Sequence, residues 1–350
     1  MEDTVFDNKP KIDAYKAVCF KLGFIMCVYY ICRILAGFVI SFLDAIWRVE
    51  SESALNYFVR SVIMLIYVYV IPLVVSMHLF KNHTNHGRIK RNLNSLYKAP
   101  KHIAKSLGNF AAMYGLGQGI NFLTILLVFI ASGIIRRVGV GIELERYFEQ
   151  IAVELPTNFS SALIMVYITA IVGPIVEEFW VRGIMYDALK QYGNGIAILI
   201  SSLLFGLMHS SLTMLFYTTA LGFALGYIRY ATDSLFVVTI LHIMFNSVAA
   251  GMMFLMSMTD ILGEGSGIMG TVSSIYLLAM FVLVIIGVTA FIKRISTIRK
   301  YRIENSWRDV SASKKVAMFF VSVPVIVMIV LAFDAHANYF LLERVIGLFL

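Results

Sequence analysis

An all-α, polytopic transmembrane helix bundle of about eight or nine spans is the fold that this 350-residue chain predicts, and three observations predict it. Hydrophobic residues make up 59% of the chain and charged residues only 14%, against about 25% charged in a soluble domain. A water-soluble fold could not hide that much apolar surface. The apolar residues come in long runs, such as 122–135 and the charge-free 275–292, which approach the ~20 residues needed to cross a ~30 Å hydrocarbon core. The basic residues fall in short stretches between those runs.

In chain order the runs place spans at 20–45, 57–80, 108–135, 161–187, 195–211, 212–230, 235–257, 273–292 and 316–333. Between the second and third, the loop 81–106 carries Lys81, Arg88, Lys90, Arg91, Lys98, Lys101 and Lys105 and no acid, which marks it as cytoplasmic. Nine spans then put the N-terminus, with Lys9, Lys11 and Lys16, on that same side, together with Lys190, Arg229 and the basic cluster 293–302. The acidic stretches around Glu50 and Glu52, Glu143 to Glu154, and Asp260 and Glu264 fall outside. Arg136 and Arg137 are the exception to this pattern. The loop 136–160 alternates charged and apolar residues and can form a helix lying along the membrane interface. The expected location is the cell membrane, with a cytoplasmic N-terminus.

The excess of 29 Lys+Arg over 21 Asp+Glu is therefore topology and not a nucleic-acid surface. Cys19, Cys27 and Cys32 all lie in the first apolar segment, without a CxxC metal spacing, and read as packing residues. No cleavable signal peptide is evident. With no repeat or low-complexity linker, the chain reads as one membrane domain in three parts. These are N-terminal spans at 1–160, a candidate core at 161–257, and C-terminal spans with a tail at 258–350.

An ionisable group at mid-bilayer costs ~2.5–3.5 kcal/mol on insertion scales, so each one is a functional candidate. Three spans stand out. The fourth carries Glu177, Glu178 and Arg182 just after Gly173-Pro174, the fifth carries Phe205 and His209, and the seventh carries His242 and Asn246. Residues four apart share a helix face while neighbours point about 100° apart. Glu178 and Arg182 can therefore pair, and Glu177 points to another surface, where a histidine of a neighbouring helix can meet it. His242 and Asn246 project together. At ~1.5 Å rise per residue, Glu177 and His209 lie about 20–24 Å along their helices from the cytoplasmic ends, and His242 about 14 Å.

Taken singly, each group has a structural reading. Glu178 with Arg182 is an ion pair, His209 an interfacial histidine, His242 with Asn246 an interhelical pair, and Gly173-Pro174 a packing kink. Their joint occurrence on three nearby spans favours a shared purpose. A carboxylate and a histidine can deprotonate a water, while a second histidine and an amide can donate hydrogen bonds to an oxyanion. That complement suffices for peptide-bond hydrolysis.

The order EExxxR at Glu177-Glu178 to Arg182, FxxxH at Phe205 to His209, and HxxxN at His242 to Asn246 resembles the CAAX protease and bacteriocin-processing family, also called Abi. The resemblance covers roughly 160–250. It implies an intramembrane endopeptidase in which Glu177 and His209 activate the water and His242 with Asn246 stabilises the oxyanion. Glu178 and Arg182 would hold the helix in register. The substrate it implies is a peptide or a membrane-anchored protein. Metal dependence stays open: Glu177, His209 and His242 would make an acceptable Zn²⁺ triad, but no HExxH spacing is present, and hydrolysis without metal is the expectation. Two other classes compete. One is a non-catalytic scaffold or bacteriocin immunity protein; the other is a proton-coupled transporter, for which the sequence shows no matching pair of interrupted helices.

Overall fold

The computed structural model describes residues 9–46, 53–81, 103–138, 155–209, 212–262, 267–300, 307 and 309–336. Ten helices account for all regular structure among them: α1 Lys9–Ile46, α2 Ala54–Phe80, α3 Ile103–Val138, α4 Phe159–Tyr192, α5 Asn194–Leu207, α6 Leu212–Thr232, α7 Leu235–Leu262, α8 Gly267–Lys300, α9 Ala312–Phe320 and α10 Val323–His336. Each of the nine expected segments falls on one of these helices or on the α9–α10 pair. Most of the basic loop 81–106, and residues 139–154 of the expected interfacial helix, lie outside the described residues.

Fewer helices than nine are long and apolar enough to cross a bilayer by themselves. Among the described residues α1, α2, α4, α7 and the Gly267–Lys293 part of α8 qualify, and α9 with α10 makes a sixth if counted as one broken span. Helix α5 has 14 residues, about 21 Å at 1.5 Å per residue, and is too short to span by itself. The last expected span, 316–333, is bent by 70° between α9 and α10. Pro324 accounts for the break, because it has no N–H to donate to the carbonyl four residues back and its ring clashes there. The Ser322 carbonyl instead accepts from the Val325 and Ile326 amides.

Helix α4 is the axis of the bundle. It packs against α7 along most of its length and touches α2 and α5; α6 covers α5, and α3 lies between α6 and α8. The C-terminal pair closes back on α1. There Gly23 lets the bend lie against the helix, since a Cβ on Gly23 would stand 2.6 Å from the Val325 nitrogen. Cys27 donates to the Pro324 carbonyl. Nearby, the buried Lys315 ammonium donates to the carbonyls of Tyr192 and Trp307, and Tyr15 donates to the Lys315 carbonyl.

Two of the central helices carry widened, π-helical turns directly before a proline. In α2 the turn Leu65–Val70 precedes Ile71-Pro72, and in α4 the turn Ile168–Val172 precedes Gly173-Pro174. A proline ring clashes with the carbonyl four residues back, and an inserted residue relieves the clash while re-aiming the side chains beyond it. In α4 the Gly173 amide reaches the Ile168 carbonyl, five residues back. The Thr169 carbonyl has then lost its usual donor, and the next one in the wider register would be Pro174, which has none.

Candidate active site

That orphaned carbonyl explains where Asn246 goes. Its amide, on α7, donates to the Thr169 carbonyl at 3.0 Å, supplying the hydrogen bond that Pro174 cannot. His242 and Asn246 do project together towards α4, as their spacing predicts. They end, however, on different groups of that helix: Asn246 on the backbone, His242 on the two carboxylates.

The paired glutamates divide the work as adjacent residues must. Glu178 has no exposed surface, and its Oε1 accepts from Arg182 at 2.9 Å and from His242 Nδ1–H at 2.8 Å. Arg182, equally buried, also donates to the Gly222 carbonyl on α6 at 3.1 Å. This reach requires α5 and α6 to approach closely, and a Cβ on Gly222 would stand 3.0 Å from Ser202 Cα. Because Glu178 takes the hydrogen on His242 Nδ1, the other nitrogen, Nε2, carries a lone pair in the neutral ring. It faces Glu177 Oε2 at 3.7 Å, too far for a direct hydrogen bond. Two acceptors in that relation need a hydrogen between them, from a protonated partner or from a water.

Glu177 is held by one oxygen only. Its Oε1 accepts from the Tyr69 hydroxyl of α2 at 2.8 Å, whereas Oε2 has no hydrogen-bond partner among the described residues. Glu177 lines a cavity of about 220 Å³ together with Tyr29 and Arg33 of α1, Met64, Val68 and Tyr69 of α2, and Met208 and His209 at the end of α5. The structure thus brings Glu177 together with both histidines: with His209 across the cavity, and with His242 behind it. Asn246 and His242 do not line this cavity.

His209 sits where α5 stops, and its neighbours fix its ring. The last carbonyls of a helix lack intrahelical donors. Here the Phe205 carbonyl receives His209 Nδ1 at 2.9 Å, and those of Leu207 and Met208 receive the Tyr30 and Tyr29 hydroxyls of α1, each at 2.6 Å. A carbonyl can only accept, so the hydrogen of neutral His209 is on Nδ1 and its Nε2 is a free base. Phe205 organises three of the groups at once. Its ring centroid is 4.9 Å from that of His209 and 5.6 Å from that of His242, edge to face, and 4.4 Å from the Arg182 guanidinium carbon.

The donor set does not fit the Zn²⁺ alternative. Among the described residues no three His, Cys, Asp or Glu side chains are gathered closely enough to share one ion. The chemistry of the site is accordingly derived from its own side chains.

Sequence reasoning passed over Tyr29, Arg33 and Tyr69. Arg33 had a signal, being the one charge between Lys21 and Asp44 in the first apolar run. The tyrosines had none, because the chain has 18 of them and an aromatic in a span is ordinary.

Comparison with known proteins locates the family resemblance within this core. Residues 159–248 match the family described as "Type II CAAX prenyl endopeptidase Rce1-like". The chain is 38% identical over 85 residues to the protein named "Putative membrane peptidase YdiL" of Bacillus subtilis (strain 168), a stretch of 24% of this chain and 35% of that protein. The match thus spans about a third of the relative's length. No solved structure matches the chain. The matched segment 159–248 holds all three motifs from Glu177 to Asn246 and supports the resemblance to the CAAX protease and bacteriocin-processing family, whereas α1 and α2 lie outside it.

Proposed function

We propose that this chain is an intramembrane endopeptidase that hydrolyses a peptide bond in a membrane-associated peptide or protein with a water activated by Glu177 and His209. The observation that carries this reading is the division of the Glu177 carboxylate. Tyr69 fixes one oxygen, the other has no hydrogen-bond partner among the described residues, and Glu177 lines one cavity with His209, whose ring hydrogen is held on Nδ1 by the Phe205 carbonyl.

In this reading a water in the cavity that Glu177 and His209 line attacks the scissile carbonyl carbon. Its proton goes to Glu177, and the carbonyl π electrons move onto oxygen. His242 is placed to share that proton across the 3.7 Å gap, with Glu178 compensating the imidazolium through Nδ1. Negative charge meanwhile develops on the carbonyl oxygen. The positive charge of Arg33 on the cavity wall favours the same charge development. Collapse of the tetrahedral species breaks the C–N bond, and the proton passes to the leaving amine.

Asn246 enters as a support of the α4 backbone, in place of the oxyanion role implied by the resemblance. The basic loop 81–106 supports a cytoplasmic N-terminus in the cell membrane. The test compares peptidomes of host membranes bearing equal amounts of wild type or Glu177→Ala. Peptides present only with the wild type are expected, since losing a general base costs about 10²–10⁴-fold. Identical peptide sets with both proteins folded would overturn the reading and favour a scaffold.

A further inference from the structure

We propose that Tyr69 is the positioning residue for Glu177: its hydroxyl fixes Oε1, so that Oε2 is turned to His242. The inference rests on the peptidase reading and adds to it a residue from outside the matched segment 159–248.

Three observations carry it. The Tyr69 hydroxyl donates to Glu177 Oε1 at 2.8 Å, and no other hydrogen bond to the Glu177 side chain is found among the described residues. A carboxylate with one donor on one oxygen is rotationally fixed and chemically asymmetric: the bonded oxygen is the weaker base, and the bare one is aimed. Second, Tyr69 lies within the π turn Leu65–Val70, where the inserted residue re-aims side chains relative to a regular helix. Without that turn the phenol would be displaced around the helix by a good part of a residue step.

Third, α2 is locked to α4 beside the contact. Trp180 Nε1 donates to Ser76 Oγ at 2.7 Å, and Ser76 in turn donates to the Pro72 carbonyl at 2.7 Å. All three side chains in this lock, Trp180, Ser76 and Pro72, are buried. The depth of Tyr69 relative to Glu177 is therefore set by a contact that contains neither of them. A tyrosine present only to fill space would not need its hydroxyl on a carboxylate oxygen.

The experiment uses the full chain in lipid nanodiscs. Infrared difference spectra against Glu177→Gln assign the Glu177 carboxylate stretches. In Tyr69→Phe the splitting between the asymmetric and symmetric stretches is expected to narrow, because the two oxygens become equivalent. Turnover of a pool of internally quenched peptides is expected to fall about 10–100-fold in kcat, the weight of one hydrogen bond to a charged group, with KM unchanged.

A second pair of variants guards against misfolding. At position 69, 4-aminophenylalanine keeps a donor and 4-methylphenylalanine has the same shape without one. The first is expected to restore the splitting and most of kcat, and the second neither. Stretches that do not move in Tyr69→Phe, or equal behaviour of the two analogues, would overturn the assignment of Tyr69 while leaving Glu177 as base untouched. A Glu177→Gln protein that cleaves the pool as fast as the wild type would instead overturn the peptidase reading, whatever the spectra show.

Discussion

The two walls of the cavity are built on different chemistry. On the α4, α5 and α7 side, buried charges hold one another: Arg182, Glu178 and His242 form a continuous chain with the Gly222 carbonyl at its end. On the α1 and α2 side, neutral hydroxyls do the holding. Tyr29 and Tyr30 cap the end of α5 below His209, and Tyr69 fixes Glu177. Charges buried in apolar surroundings are costly and demand a complete set of partners, so that wall tolerates little. Each hydroxyl bond contributes modestly and can be lost singly. The reacting groups thus sit between a wall that sets their charge state and a wall that sets their aim.

The sharpest way to break this comparison is at Glu178. Glu178→Gln leaves Arg182 buried without its counter-charge, and removing one partner of a buried pair costs about 3–5 kcal/mol. Folded yield in detergent, read by size exclusion and thermal unfolding, is expected to collapse. Adding Arg182→Met should restore the yield without restoring peptidase turnover, because His242 still lacks the carboxylate that fixes its ring. Recovery of both would reduce Glu178 to a structural counter-ion.

A smaller effect separates the two roles open to Asn246. Asn246→Ala strands the Thr169 carbonyl, which costs about 1–3 kcal/mol, and the thermal midpoint should drop. Pro174→Ala restores a backbone donor, so the double variant should recover stability. If Asn246→Ala instead kept its midpoint and lost kcat alone, the oxyanion role would stand. The smallest change is expected from Tyr30→Phe, which removes one neutral bond to the Leu207 carbonyl. About 0.5–1.5 kcal/mol of stability should go, with KM unaltered, as measured by unfolding and steady-state kinetics. A loss as large as that of Glu178→Gln would show that the hydroxyl wall is as brittle as the charged one.

These contrasts also explain what the sequence could disclose. The helical class and the apolar segments were legible because a bilayer enforces both composition and length. Glu177, Glu178, Arg182, His209 and His242 were legible as costly residues in apolar runs. The i, i+4 rule placed Glu178 on Arg182 and turned Glu177 to another face, as found. The same rule put Asn246 beside His242, but spacing within one helix says nothing of a carbonyl freed on another by Pro174. Arg33 was as visible as the rest and went unused. The π turns Leu65–Val70 and Ile168–Val172 showed only through their prolines, and α2 with α4 forms a pair of similarly interrupted helices that the sequence reading missed. Both border one site, and nothing relates them as halves of a repeat. Tyr69 was beyond reach, since only tertiary packing tells a phenol at a carboxylate from a phenol in lipid.

The closure of the C-terminal pair on α1 has a consequence for biogenesis. Tyr15 bonds the Lys315 carbonyl across 300 residues of chain, and Cys27 bonds Pro324 across 297. Contacts so distant in sequence form only after the intervening chain has been made. Helix α1 therefore packs first against α2, through contacts such as that of Lys21 with the Leu79 carbonyl, and gains its contacts with α9 and α10 only once those helices have been made. A nascent chain thus holds its carboxylates and histidines before α1, which carries two of the cavity residues, has all its packing partners.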